Sequence, residues 1–195
     1  MFSLDHIQFS YRAKALLDDI SLTIKKGEAL AVAGPNGCGK TTLLKIMASL
    51  IKPLSGEIKV DSDVKRGLYL PNHFFYRSLT LKENLNFYRD LSKSESLEKL
   101  VAHFDLKSIL NQKVSTLSLG EKARGLLARL FLVPADLYLL DEPLLALDAA
   151  HLNLLIDYLK QVKSTGASLV IVSHDLHPIQ GLLDQTLSLQ NGRLL

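Results

Sequence analysis

Eight residues do more than any others to limit what this chain can fold into: Gly34-Pro35-Asn36-Gly37-Cys38-Gly39-Lys40-Thr41. The apolar run Ala29–Ala33 before them reads as a strand, and Thr42-Leu43-Leu44-Lys45-Ile46-Met47 after them reads as the start of a helix. Strand, glycine-rich loop and helix in that order make a phosphate-binding loop. The glycines let successive backbone N–H groups turn inward as a nest, and the helix N-terminus adds partial positive charge. Lys40 can reach β- and γ-phosphates, and the Thr41 hydroxyl can take a place on Mg²⁺. A chance match to this pattern is expected in about one in a hundred chains of this length. The expected nucleotide contacts are therefore Gly34, Pro35, Asn36, Gly37, Cys38, Gly39, Lys40, Thr41 and Thr42.

The rest of the chain supplies a sheet to carry such a loop. Leu4–Phe9 and Asp19–Ile24 read as alternating strands, followed by a turn at Lys25-Lys26-Gly27-Glu28. A helix is expected from Lys40 to Leu50, then short strands at Gly56–Val60 and Gly67–Leu70. From Pro71 the texture becomes helical. Thr80-x-x-Glu83 is a capping-box pattern before Leu81, Leu85 and Tyr88, and a second helix is expected from Ser94 to Phe104. Residues 72–117 thus read as a helical insert in one 195-residue α/β domain. The run His73-Phe74-Phe75-Tyr76 either fills the core of that insert or lines a groove for a partner helix. The βα rhythm then resumes: helix Gly120–Leu132, strand Leu137–Leu140, helix Ala149–Lys163 and strand Leu169–Val172. Gln185–Leu189 and Arg193–Leu195 flank an Asn191-Gly192 hairpin turn. Continuous apolar strands alternating with helices predict a mostly parallel, doubly wound sheet.

At the end of the Leu137–Leu140 strand stand Asp141, Glu142 and Pro143. The carboxyl end of a strand in a parallel sheet is where ligands sit. Asp141 is placed to hold Mg²⁺ beside Thr41. Glu142 is placed to orient or deprotonate a water attacking a γ-phosphate, so the pair meets the minimum that phosphoryl transfer needs. Two acids merely capping a strand end are the alternative, which the phosphate loop in the same chain disfavours. Composition removes other classes. The 23 basic and 20 acidic residues are scattered rather than blocked, so no nucleic-acid partner is expected. The single cysteine, Cys38, excludes an internal disulfide and suits a reducing compartment. No apolar run reaches the roughly 18 residues of a bilayer span, and the N-terminal residues carry no secretory pattern. A cytoplasmic chain is expected, one that would need separate subunits to act at a membrane.

Leu117-Ser118-Leu119-Gly120-Glu121 lies shortly before the acidic strand. Ser118-x-x-Glu121 is a capping box by itself. With the phosphate loop and Asp141-Glu142, however, it resembles the signature of ATP-binding-cassette (ABC) nucleotide-binding domains. The resemblance covers nearly the whole chain. Gly34–Thr41 is similar to Walker A, Leu70-Pro71-Asn72 to the Q-loop, Leu117–Glu121 to the signature, Leu137–Glu142 to Walker B, Ala146-Leu147-Asp148 to the D-loop and Ser173-His174-Asp175 to the switch histidine. Three departures stand out. Asn72 replaces glutamine, Leu119 replaces the first signature glycine, and Glu121 replaces glutamine. A short interval from Lys40 to Asn72 predicts a trimmed antiparallel β portion. No N-K-x-D-type guanine-reading segment is present.

The resemblance implies ATP and Mg²⁺ as ligands, Tyr11 stacking on adenine, and Asn72 joining Thr41 and Asp141 near the metal. It also implies that His174 contacts the γ-phosphate, with Lys40 and Glu142 completing the catalytic set. A second ATPase domain, as a homodimer, would present Ser118, Gly120 and Asp148 to that site. The implied role is an energising subunit on the cytoplasmic face of a membrane, with integral transporter subunits supplying the spans. A soluble ABC ATPase of translation, DNA repair or chromosome organisation is the other class. Those usually carry tandem cassettes, coiled-coil insertions or basic extensions. The short length and the segment Leu81-Lys82-Glu83-Asn84-Leu85-Asn86-Phe87-Tyr88 are similar to haem-exporter ATPases of cytochrome c maturation. His6, His73, His103, His151 and His177 show no metal-ligand spacing and receive no role.

Overall fold

The chain opens with an antiparallel pair, β1 (Phe2–Tyr11) and β2 (Lys14–Ile24), joined on the far side of β1 by β4 (Ser55–Val60). The computed structural model describes residues 2–11, 14–61, 63–71, 75–92 and 97–195. The simple alternation expected for β1 does not hold. Phe2 and Leu4 are buried, but so are Ile7 and Phe9, which would fall on the opposite face of a regular strand. A register shift between Leu4 and Ile7, with His6 at φ 52°, inserts the extra residue that returns the apolar side chains to one face. Asp19, at φ 64°, does the same on β2 between Leu17 and Ile20.

A second sheet holds six strands in the order β5-β6-β7-β3-β8-β9: β3 (Ala29–Ala33), β5 (Arg66–Tyr69), β6 (Leu137–Asp141), β7 (Ser168–Val172), β8 (Gln185–Gln190) and β9 (Arg193–Leu194). The first five are parallel, as expected, and β9 returns antiparallel through the Asn191-Gly192 turn. Alternate side chains of β6 and β7 feed two cores. Leu137, Leu139, Val170 and Val172 pack with Leu43, Leu44, Ile46 and Met47 of α1 (Lys40–Met47) and with the β1–β2 pair. Tyr138, Leu140, Leu169 and Ile171 face the other way. They meet α4 (Leu119–Phe131) and α5 (Ala149–Ser164).

The helical stretch contains α2 (Leu81–Ser92) and α3 (Leu97–His103), α2 opened by the expected Thr80–Glu83 capping box. Its packing bears on one open reading. Phe75 is buried at 5% exposure against Gly125 of α4 and Leu81 of α2, with the Arg129 guanidinium 5.5 Å from its ring centre. Phe75 thus belongs to the core while one edge of it also lines a cavity of about 660 Å³ beside α4, whereas Tyr76 is exposed. Asn72, His73 and Phe74 lie outside the described residues. The sequence pattern also missed a 3₁₀ segment, His177–Leu182, which packs Ile179 and Leu182 into the second core.

Candidate functional site

Register brings the site together. β7 lies between β3 and β6, with Val172 opposite both Val32 and Asp141. The three strand ends therefore finish side by side, and the phosphate loop, the Asp141-Glu142 pair and Ser173-His174 emerge from one edge of the sheet. A cleft of about 420 Å³ opens there, lined by Tyr11, Leu16, Asn36, Gly37, Gly39, Lys40, Thr41, Thr42, Asp141 and Glu142.

The loop is held from below. Gly34 has φ 148°, and a Cβ there would collide with the Leu189 carbonyl oxygen of β8, so this position has no room for a side chain. The Cys38 thiol is half-buried, with its sulfur packed toward Gly34. Lys40 is buried and lies across the loop, its Nζ donating to the carbonyls of Gly34 at 2.7 Å and Pro35 at 3.0 Å. Loop and lysine are thus pre-organised around one another, with an α-helix N-terminus directly behind them.

Thr41 Oγ1 donates to Asp141 Oδ2 at 2.7 Å. Burial raises the Asp141 carboxyl above the ordinary carboxylate range, the Thr41 bond opposes that, and the neighbouring Glu142 charge adds to it. A hydroxyl and a buried carboxylate side by side are hard oxygen donors of the kind that suit Mg²⁺, together with oxygens from a phosphate. Glu142 sits one residue on at φ 48°, a strained conformation held by its N–H bond to the Val172 carbonyl at 2.8 Å. Its Oε2 accepts from the His174 backbone N–H at 3.3 Å and lies 3.1 Å from His174 Nδ1. The sequence pointed to both residues but not to this contact. Leu16 was also missed; its place beside Tyr11 depends on how β2 folds back on β1.

Tyr11 is half exposed at the cleft mouth, edge-on to Phe9 with ring centres 4.9 Å apart. Ser118, Gly120 and Asp148 do not line this cleft. Together with Glu121, Arg124, Ala146, Leu147 and His151 they line another, of about 250 Å³. Ser118 caps α4 through the expected box: Glu121 N–H donates to Ser118 Oγ at 3.2 Å, and Ser118 N–H donates to Glu121 Oε2 at 2.8 Å. Asp148 caps α5, accepting from the His151 N–H at 2.9 Å. The predicted residues therefore fall into two groups on one chain, one at the loop and one at the N-termini of α4 and α5. No helix among the described residues is long and apolar enough to cross a membrane.

Residues 17–145 match the family described as "ABC transporter". The "Uncharacterized ABC transporter ATP-binding protein YcbN" of Bacillus subtilis is 36% identical over 201 residues, covering 95% of this chain and 65% of its own length. The "Cytochrome c biogenesis ATP-binding export protein CcmA" of Rhodobacter capsulatus is 30% identical, covering 89% of this chain and 81% of its own. A solved structure described as an ATP binding subunit of an ABC transporter superposes with a TM-score of 0.90 at 26% identity, covering all of this chain and 88% of the other.

Proposed function

This chain belongs to the ABC transporter family of ATP-binding proteins, and we propose that it binds and hydrolyses ATP to power movement of a substrate through separate membrane-spanning subunits. The observation that carries the reading is the convergence, on one sheet edge, of the phosphate loop, the Thr41–Asp141 pair and the Glu142–His174 pair. In this reading the chain is one ATPase domain with a helical insert over 72–117, working peripherally on the cytoplasmic face of a membrane.

Each group in the cleft then has a task. The loop amides and Lys40 take the phosphates, Lys40 exchanging its two loop carbonyls for phosphate oxygens. Tyr11 offers a ring face to the adenine at the cleft mouth. Thr41 and Asp141 hold Mg²⁺, which when bound neutralises developing charge on the transferred phosphoryl group. Asn72 belongs to this set by its place in the chain. Glu142 holds and deprotonates the attacking water, and His174 keeps the Glu142 carboxylate aimed while reaching toward the γ-phosphate. Ser118, Gly120 and Asp148 line a cleft separate from that of their own loop, and in this reading they serve the nucleotide of a second copy. Two chains arranged head to tail complete two sites, and hydrolysis reopens the pair.

Glu142→Gln tests this directly. The amide keeps the size and loses the base, so turnover falls by about 10² or more while ATP still binds and traps a dimer visible by size exclusion. Wild-type turnover in that variant would overturn the assignment. Co-purification with ribosomes or DNA, rather than with a membrane protein, would overturn the transport role while leaving the ATPase.

A further inference from the structure

His151 received no role from the sequence, yet its ring reaches two carboxylates from separate parts of the chain, Asp148 and Asp105. It sits on the first turn of α5 with its side chain 21% exposed. Its ring Nδ1 lies 2.7 Å from Asp148 Oδ1, the oxygen that already accepts its backbone N–H. Its Nε2 lies 3.8 Å from Asp105 Oδ2, in the turn that follows α3. That turn is fastened to α4: Arg124, buried, donates from Nη1 to the backbone carbonyls of Phe104 and Asp105. The same guanidinium lies 3.6 Å from Asp105 Oδ2. On the opposite side, the Ala146 carbonyl packs directly against Gly120 of α4.

An aspartate N-cap needs only a backbone N–H. The ring contact is surplus to capping and reaches a second element. The Asp148 side chain is 66% exposed, so packing does not fix its orientation, while the more buried ring can. A contact to so exposed a carboxylate adds little stability, so it matters for where Asp148 points. We propose that His151 is a positioning residue that, by bridging Asp148 and Asp105, holds the 146–148 turn in fixed register with the N-terminus of α4. The proposal rests on the ATPase reading, in which both face the partner's nucleotide.

Three variants dissect the bridge. Alanine removes it; His151→Asn puts an amide where Nδ1 lies and keeps the Asp148 contact; His151→Gln puts one near Nε2 and keeps only the Asp105 reach. In purified protein, His151→Ala lowers kcat about five- to tenfold, as expected for losing one charge-assisted contact. The KM for ATP stays within about twofold, since the loop cleft is untouched. His151→Asn recovers most of kcat and His151→Gln does not. Hydrogen exchange of amides 145–148 quickens in the alanine variant and returns toward wild type with asparagine. Unchanged kcat and exchange in His151→Ala, or asparagine no better than alanine, overturns the proposal. A wild type whose turnover survives Lys40→Ala, or that shows none, sinks the ATPase reading instead, and the exchange data then decide the role of His151 alone.

Discussion

Gly120→Ala separates two explanations of the same residue. The resemblance assigns this glycine to phosphate approach, but the fold gives it work inside its own chain. A Cβ at Gly120 would stand 2.7 Å from the Ala146 carbonyl oxygen, about 0.7 Å short of the 3.4 Å at which ordinary contact begins. The obstacle is backbone, not the end of a flexible side chain, and Ala146 is already strained at φ 65°. Overpacking costs about 1–3 kcal/mol, and alanine returns a few tenths in helix propensity near the start of α4. A net loss of about 1–2 kcal/mol lowers the melting temperature by about 2–8 °C in a chain of this size. The assay is thermal unfolding of the nucleotide-free chain by circular dichroism, where phosphate approach plays no part. Gly181 is the control: its Cβ would meet nothing within 4 Å, so Gly181→Ala leaves the melting temperature unchanged or slightly higher. If Gly120→Ala melts at or above wild type while the control behaves as stated, the steric reasoning is wrong.

Two further outcomes follow from the site and the core. Asp141→Asn removes Mg²⁺-dependent turnover yet raises the melting temperature of the nucleotide-free chain at neutral pH. The reason is that a carboxyl whose pKa is raised on folding destabilises the fold when ionised, a cost relieved as pH falls through that raised value. A lower melting temperature at neutral pH for the asparagine variant would contradict the burial effect. Phe75→Ala, by contrast, loses about 3–5 kcal/mol and its ATPase together, as a buried aromatic should. Retained stability with only transport lost would return Phe75 to a docking surface.

Much of the site was legible because its chemistry is local. Gly34–Thr41 reads as a phosphate loop wherever a strand delivers it, and Asp141-Glu142 reads as a candidate metal carboxylate and a candidate base at the end of a buried strand. The capping boxes at Thr80–Glu83 and Ser118–Glu121 were equally readable, because each closes within four residues. Element order and the Asn191-Gly192 hairpin followed from apolar periodicity and turn chemistry. What periodicity could not supply was phase across a bulge: Phe2, Leu4, Ile7 and Phe9 share a face because His6 adopts positive φ, and Leu17 and Ile20 do so because Asp19 does, which no alternation rule foresees.

Relations between distant residues were decided by the tertiary structure alone. Thr41 meets Asp141 across 100 positions, and Glu142 meets His174 across 32, because sheet order interleaves β7 between β3 and β6. His151 looked idle as one histidine in a helical run. It gains partners only when the turn at Asp105 and the start of α5 are brought together. Gly120 shows the division most plainly. The motif marks the position as glycine, but only packing reveals that the Ala146 carbonyl occupies the space a side chain would need. Sequence fixes which groups are present and how neighbours in the chain can pair. Excluded volume and strand register, which exist only once the chain has folded, fix which of those groups touch.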